Sequence, residues 1–341
     1  MLSNAPLSSR EHDVLHQIVH RFVQSAVPVA SKSLAHGDGL AVSPATIRNA
    51  MSALEQKGYL EHPHTSAGRV PTQLGYRYFV DSLLTIPMLT AQEQTALDAV
   101  SEALPDSIDE AVQEGARLLA RLSHTLAVVV APKLSDAVFR SMDCVSLSST
   151  RLLVVLTVDS GLLRTVTMEV RSDIQRSDLD RVTSVLNERL SGRRLSHIAR
   201  NIRLMLNEDV ALDRTGLLRI LIDRADMLFE DRRVRRIHVG GVEYLALHPE
   251  FTDLDRYKGL IECLEDQSTI VHLLEDHAPE TQLNVKIGTE HQTPGLEECS
   301  MVSMPYSIGS TRGTIGLVGP KRMDYPRMMA LVQQLATRFN Q

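Results

Sequence analysis

The sequence predicts a multidomain α+β protein, and three observations predict it. Residues before about 85 show helical periodicity followed by a short polar hairpin. Residues from Leu126 to Val170 change to the period of strands, and that period returns after Leu283, beyond a mostly helical block. With 341 residues, of which 43% are hydrophobic, the chain is long enough for two or three domains with cores of their own.

The N-terminal residues predict two helices. Ser8 and Glu11 have the spacing of a capping box, in which each satisfies a free N–H group of the other. Apolar residues then recur on one face of the first helix: Val14, Leu15, Ile18, Val19 and Phe22. A short second helix is predicted from Ser31 through Ala35, and the HGDG segment after it predicts a turn into the next helix.

The third helix is the segment on which a functional prediction depends. Ser43 is suited to cap it and Pro44 to occupy its first position, while Ile47, Met51 and Leu54 form its buried stripe. The opposite face is small and rich in amides; it carries Ala45, Asn49, Ser52 and Gln56, flanked by Thr46 and Arg48. Asn and Gln can pair with adenine and Arg with guanine, so this face suits a DNA major groove.

A polar hairpin is predicted after the third helix. Gly58 is suited to end that helix, Tyr59 and Leu60 predict a short strand, and the EHPHTSAGRVPT segment that follows predicts a loop or hairpin. Three helices followed by a hairpin are the layout of a winged helix-turn-helix domain. A surface helix followed by a polar loop would give the same local pattern.

Several segments carry a more specific signal than periodicity. In this order, SPATIRN, MSALEQKGYL, PHTSAGRVPT and GYRYFVD, with GPKRMDYPR near the C-terminus, resemble the HrcA family of heat-inducible transcription repressors. The resemblance covers the whole chain. It implies a winged-helix DNA-binding domain over 1–85 and a GAF-like domain in two parts, 90–175 and 279–341. An inserted, mostly helical dimerisation domain would span 176–278.

The resemblance also implies a function. It describes a homodimeric repressor that binds double-stranded DNA at an inverted-repeat operator upstream of chaperone genes, depends on chaperonin for its active form, and is released on heat shock. Two sets of residues are the expected DNA contacts. The groove-facing set is Ser43, Thr46, Arg48, Asn49, Ser52 and Gln56. The set that positions the DNA backbone or the wing is Ser31, Lys32, Lys57, His64, Thr65, Ser66 and Arg69.

The remainder of the chain predicts alternating helical and strand blocks. Helices are expected over 91–103 and 108–124, and one antiparallel sheet over 126–170, with a hairpin at Asp159–Gly161. Residues 177–277 read as mostly helical, with a possible strand at 237–239. Strands are expected again at 283–287, 299–306 and 314–318, before a final helix over 325–338.

Charge predicts only modest DNA affinity for each monomer. The net charge of the chain is −6, and before residue 81 seven basic residues face five acidic ones. Because affinity depends on the phosphates that basic groups neutralise, we expect a need for a dimer or a helper protein.

Other functional classes find little support in the sequence. Cys144, Cys263 and Cys299 match no metal-ligand spacing, and no catalytic or phosphate-loop motif occurs, so we expect no enzyme, cofactor or metal. His12, His16 and His20 could chelate a metal, but a solvated helix face explains their spacing.

With no signal peptide and no membrane span expected, the predicted location is the cytoplasm, associated with the nucleoid. The alternatives are a repressor that senses a small molecule through the GAF-like domain, and a module that docks proteins.

Overall fold

The computed structural model has an α+β architecture. It describes residues 6–35, 43–63, 68–102, 108–159, 161, 163–170, 174–213, 215–229, 237–252, 259, 261–262, 266–275 and 282–340. The order of elements and the strand pairing divide the described residues into three parts: an N-terminal unit over 6–83, a five-stranded sheet with its helices, and a three-stranded sheet with its helices. The first two parts share one continuous buried core, and the third has a core of its own.

The described residues of the N-terminal unit form four helices, a π-helical turn and one short hairpin. Its elements are α1 (Ser9–Ser25), α2 (Ser31–Ala35), α3 (Pro44–Gln56), β1 (Leu60–Glu61), β2 (Val70–Pro71), α4 (Gln73–Tyr78) and a π-helical turn (Phe79–Leu83). The predicted capping box is confirmed: the Glu11 amide donates to Ser8 Oγ at 3.3 Å, and the Ser8 amide donates to Glu11 Oε2 at 2.7 Å. α3 begins at Pro44 after Ser43, also as predicted.

The five-stranded sheet is antiparallel throughout, in the order β7-β3-β10-β9-β8. The strands are β3 (Leu126–Val130), β7 (Ile237–Gly240), β8 (Asn284–Ile287), β9 (Cys299–Ile308) and β10 (Thr311–Pro320). Helices α5 (Ala91–Glu102), α6 (Ile108–Ser123) and the C-terminal α14 (Tyr325–Phe339) belong to the same body, as do α12 (Val242–Leu245), α13 (Gln267–Glu275) and 3-10 turns at Pro249–Phe251 and Gly288–His291. We call this body the sheet unit.

Both faces of the five-stranded sheet are buried, each in a separate hydrophobic core. Along β3, Ala127 and Val129 join the core that contains α6 and α14, whereas Leu126, Val128 and Val130 join the core that contains α13. A strand buried on both faces reads as a continuous apolar run, which is why this segment is LAVVV.

The three-stranded sheet has a core of its own. Its strands are β4 (Phe139–Ser148), β5 (Arg151–Val158) and β6 (Leu163–Glu169), in the order β4-β5-β6. Alternate β5 residues, including Leu152, Val154 and Leu156, are buried in one core with apolar residues of the helices that follow. Those helices are α7 (Arg176–Leu190), α8 (Leu195–Met205), α9 (Asn207–Leu212), α10 (Leu217–Asp223) and α11 (Ala225–Phe229).

The prediction of one sheet over 126–170 is wrong. β3 pairs with β7 and β10, which lie far away in the sequence, while β4, β5 and β6 pair only among themselves within the described residues. Periodicity predicts strands but not which strands pair. Because only short segments separate β3, β4, β5 and β6 along the chain, the sequence suggests that all four belong to one sheet. The domain limits at 176 and 278 stay a prediction; the buried cores favour 137–229 as the inserted unit.

His291, in the 3-10 turn after β8, gives the sheet unit a predicted pH dependence. Burial lowers the pKa of this imidazole to about 4, although its hydrogen bond with the Cys299 carbonyl oxygen opposes the shift. The unfolded chain therefore takes up a proton between about pH 6.5 and 4 while the folded chain does not. We expect the free energy of unfolding to be greatest above pH 6.5 and to fall by about 2 kcal/mol from this group between pH 7 and pH 5.

Denaturant unfolding between pH 7 and pH 5 measures this effect. The stability of His291→Gln should depend less steeply on pH than that of the parent. His272→Gln, at an exposed position of α13, is the matched control and should keep the parent slope. Parallel curves for the parent and His291→Gln would contradict the prediction.

Candidate nucleic-acid interface

α3 presents the side that the sequence assigns to DNA. Ile47, Met51 and Leu54 are buried against α1 and α2, and Ala50 is buried with them. The opposite side exposes Arg48, Asn49 and Gln56, and Ser52 is half-buried beside them. Because these residues recur at three- and four-residue spacing, they form one continuous strip along the helix. The strip has the donors and acceptors that base edges recognise.

Two members of the groove-facing set hold the start of α3. Ser43 Oγ accepts a hydrogen bond from the Thr46 amide at 3.2 Å and lies 2.9 Å from Thr46 Oγ1. Ser43 is therefore the N-cap of the helix, as its position predicts. Its hydroxyl is exposed and retains acceptor capacity, so a second contact is compatible with capping.

α2 lies beside α3 and carries two of the residues that are predicted to contact the DNA backbone. Ser31 is the first residue of α2, and Lys32 is exposed in its first turn, while Leu34 is buried and anchors the helix. Arg21 of α1 donates to the Ser33 carbonyl oxygen at 2.6 Å and fixes the end of α2 against α1. The helix that carries Lys32 is thereby held against α1.

Lys57 has an intramolecular partner. Its Nζ lies 2.8 Å from Glu11 Oε1, and both side chains are largely buried. Although burial alone raises the pKa of the Glu11 carboxyl, hydrogen bonds from Lys57 and Ser8 lower it below the ordinary value. The same carboxylate caps α1, so Lys57 joins the end of α3 to the start of α1. A phosphate contact by Lys57 would have to compete with this ion pair.

We therefore expect Lys57→Ala to act mainly on stability. Loss of a partly buried, charge-assisted hydrogen bond should lower the free energy of unfolding by about 1 kcal/mol. Affinity for a nonspecific duplex should change by about twofold or less, measured at a temperature where the variant is folded. Arg117→Ala, which removes an exposed ion pair with Glu114, is the control and should leave both quantities near the parent values. A large loss of DNA affinity at unchanged stability would restore Lys57 to the contact set.

The hairpin residue Arg69 also has partners within the chain. Its Nη2 lies 2.7 Å from Glu55 Oε2, and its Nη1 lies 2.6 Å from His62 Nδ1. Its backbone exchanges two hydrogen bonds of 2.9 Å with Val29, which extends the β1–β2 hairpin by one bridge. Arg69 therefore fixes the hairpin to α3 and to the segment before α2. His64, Thr65 and Ser66 lie outside the described residues.

These contacts change the electrostatic prediction. Of the predicted basic contacts, Lys57 and Arg69 are paired with the carboxylates of Glu11 and Glu55. Lys32 and Arg48 lie at exposed positions. The charge that the surface offers to phosphates is therefore smaller than the sequence count suggests. Since affinity rises with the number of neutralised phosphates, a single copy should bind DNA weakly.

Two of the three histidines of α1 do not lie on a solvated helix face, so the sequence-based interpretation is wrong for His12 and His16. His12 Nε2 is hydrogen-bonded to the Tyr78 hydroxyl, and the His16 ring is half-buried with its centroid 5.6 Å from that of Phe79. This side of α1 packs on α4 and the π-helical turn, which the apolar stripe alone does not predict. Among the described residues, no group of three or more His, Cys, Asp or Glu side chains could hold a metal ion.

Sequence reasoning missed the residues that join this surface to the sheet unit. Arg77 of α4 contacts Glu290, and Gln73 contacts Thr289. From the other side, Arg322 contacts the Val23 carbonyl oxygen at the end of α1. Contacts across more than 200 positions leave no local pattern, and only the quoted GYRYFVD and GPKRMDYPR segments mark two of the places involved.

Comparisons with known proteins agree on one family. The model of the HrcA protein C-terminal domain matches residues 109–329. Heat-inducible transcription repressor HrcA of Chlorobium luteolum is 38% identical over 350 aligned positions, which cover 98% of this chain and 97% of the relative. The protein of the same name from Chlorobium phaeobacteroides is 39% identical, with coverage of 98% and 97%.

A solved structure shares the fold. The crystal structure of a hypothetical protein superposes with a TM-score of 0.64 at 24% identity and covers 98% of this chain and 99% of that chain. In the described part of the present chain, no helix is long and apolar enough to cross a membrane. On the family match and the near full-length identity to curated relatives, the chain belongs to the HrcA family of heat-inducible transcription repressors.

Proposed function

We propose that this repressor binds an inverted-repeat DNA operator as a homodimer, with α3 of each copy in the major groove. The N-terminal unit then acts as a winged helix-turn-helix domain, in which the β1–β2 hairpin is the wing and α2 approaches the DNA backbone. The observation that carries the proposal is the exposed strip of Arg48, Asn49 and Gln56 on the side of α3 opposite its buried stripe.

The inserted unit offers a surface for the second copy. One face of the three-stranded sheet covers its own core, and the other face carries Leu153 and Val155 of β5 with their neighbours on β4 and β6. Val145 on β4 is 48% exposed and Leu163 on β6 is 65% exposed. Polar residues such as Asp143 and Thr165 lie on the same face. The exposed apolar side chains among them favour burial of this face in an oligomer. Two-fold symmetry in the protein would match the inverted repeat in the DNA.

The physiological target follows from family membership. HrcA relatives are named heat-inducible transcription repressors, which supports release of the repressor on heat shock. An operator upstream of chaperone genes is what the resemblance implies. The resemblance also implies that chaperonin maintains the active repressor, and the weak charge of the contact surface is consistent with a need for help. A repressor works at the chromosome, so we propose that it acts in the cytoplasm at the nucleoid.

The rival function is sensing of a small molecule by a GAF-like sheet unit. Side chains fill both faces of that sheet: Val129, Leu331 and Leu335 lie on one side, and Val128 and Leu274 on the other. This packing favours a structural role for the sheet unit over the sensing of a small molecule.

A titration tests the proposal. Purified protein is added to a duplex that carries an inverted repeat from upstream of chaperone genes in the source genome, and to a scrambled duplex, with and without chaperonin. We expect selective binding that strengthens with chaperonin and weakens steeply with salt. Selective binding that is indifferent to chaperonin would favour heat itself or a ligand as the signal. Equal binding to both duplexes would overturn the proposed DNA readout.

A further inference from the structure

The N-terminal unit is joined to the sheet unit by a specific polar contact. Arg77 Nε donates to Glu290 Oε1 at 3.0 Å, its Nη2 is hydrogen-bonded to Glu290 Oε2, and the same Nη2 donates to the Val285 carbonyl oxygen at 2.7 Å. Two parallel hydrogen bonds between a guanidinium and a carboxylate fix orientation as well as distance. Glu290 is held in turn, because its Oε2 accepts from the Ile287 amide at 2.9 Å.

A second contact lies beside the first. Gln73 Oε1 accepts from both the amide and the hydroxyl of Thr289, each at 3.1 Å. Gly288, which precedes Thr289, has a φ of +56°, and a Cβ atom there would lie 2.5 Å from Gln73 Oε1 and 2.9 Å from the Glu297 carbonyl oxygen. The positive φ and the nearby Glu297 carbonyl oxygen favour glycine at position 288, and a side chain there would displace Gln73 from Thr289.

A third contact reaches α1, a different helix of the N-terminal unit. Arg322, between β10 and α14, donates to the Val23 carbonyl oxygen in the last turn of α1 at 2.7 Å, and its Nε lies 2.6 Å from Glu250 Oε1. Between the arginine contacts, the Tyr76 ring of α4 is buried with its centroid 5.9 Å from that of Tyr325 on α14. Contacts made through two different helices, α4 and α1, resist rotation of the N-terminal unit in a way that one contact does not.

We infer that Arg77–Glu290, Gln73–Thr289 and Arg322–Val23 hold the N-terminal unit in one orientation on the sheet unit and thereby set the half-site spacing that the dimer reads. This inference rests on the proposed function. In a dimer whose N-terminal units are rigidly attached, the distance between the two α3 helices and their relative rotation about the DNA axis are both fixed. Half-site spacing is then a geometric property of the joint between the two units.

The test is a spacing profile. Adding or removing two base pairs between half-sites rotates one site by about 70° relative to the other. We expect the parent to lose affinity at least about tenfold on such duplexes. The Arg77→Ala/Arg322→Ala double variant should lose about threefold or less, because its readers can adjust, while its affinity for an isolated half-site stays at the parent value.

Matched variants separate this role from simple loss of stability. Arg338→Ala removes a guanidinium–carboxylate contact of 2.6 Å with Asp98 inside the sheet unit, and it should keep the parent spacing profile. Glu290→Gln should relax the profile with little change in side-chain shape, and Arg77→Lys should relax it partly, since lysine keeps the charge and loses the paired geometry. Half-site affinity reports whether the N-terminal unit of each variant is folded.

Hydrogen exchange tests the joint without DNA. The Thr289 amide donates across the joint, so its exchange should be at least about tenfold faster in Arg77→Ala/Arg322→Ala and unchanged in Arg338→Ala. Unchanged exchange in the double variant, or an unchanged spacing profile in a variant of normal half-site affinity, would overturn the inference alone. A parent that does not distinguish operator from scrambled duplex would overturn the proposed function and the spacing claim together, while the exchange result would still decide whether the joint holds the unit.

Discussion

Asn49→Ala should lower operator affinity by about 1–3 kcal/mol and relax base preference at one position of each half-site. The side chain of Asn49 is exposed at the centre of the strip on α3, and the buried stripe on the opposite side does not involve it. The loss should therefore come from base contacts and leave the fold intact. Competition binding against duplexes substituted at single base pairs measures both the loss and its position.

Lys32→Ala is the paired experiment. Lys32 is exposed on α2, where an ammonium group can contact phosphate but has no reason to distinguish bases. Operator and random duplexes should lose affinity by the same factor, and the slope of log affinity against log salt should decrease by about one. If both variants lost affinity equally on specific and random DNA, the assignment of the recognition face would be wrong.

Leu54→Ala should lower the free energy of unfolding by about 2–5 kcal/mol. Leu54 is fully buried near the end of α3, and the cavity that alanine leaves cannot be filled without moving α1. One continuous apolar cluster includes Leu54, Tyr76 of α4 and Leu331 of α14. The variant should therefore unfold at lower denaturant with the N-terminal and sheet units together, measured by circular dichroism and by DNA binding.

Leu204→Ala is the matched control for Leu54→Ala. Leu204 on α8 is 81% exposed, so the same chemical change should alter the stability by less than about 0.5 kcal/mol. A separate early transition in Leu54→Ala, with the sheet unit unfolding at the parent midpoint, would contradict the single continuous core.

The sequence predicts the local elements well and their assembly poorly. A capping box locates the start of α1, and an N-cap serine followed by proline locates the start of α3, because helix signals lie within a few residues of one another. The pairing of β3 with β7, about 110 positions later, leaves no such signal. Because of this pairing, β3 belongs to a different sheet from β4, β5 and β6, although the four strands follow one another in the sequence. Alternation along β5 indicates a half-buried strand but says nothing of which helices cover it.

The candidate site shows the same division. The exposed strip on α3 follows from helical geometry, so Arg48, Asn49 and Gln56 lie where the sequence places them. Composition cannot predict that Lys57 forms an ion pair with Glu11 and Arg69 with Glu55, because these pairs form only when α1, α3 and the hairpin pack together. For the same reason, the Arg77–Glu290 contact required the folded chain.

The most direct test of the central claim is photo-crosslinking from α3 to DNA. A photoreactive side chain replaces Gln56, at the exposed end of the strip, and the cross-linked bases are mapped on a duplex carrying the inverted repeat. We expect cross-links to bases at symmetry-related positions in both half-sites, and none on a scrambled duplex at the same salt concentration. Selective operator binding with no cross-link from α3, or with cross-links scattered equally over both duplexes, would contradict the central claim.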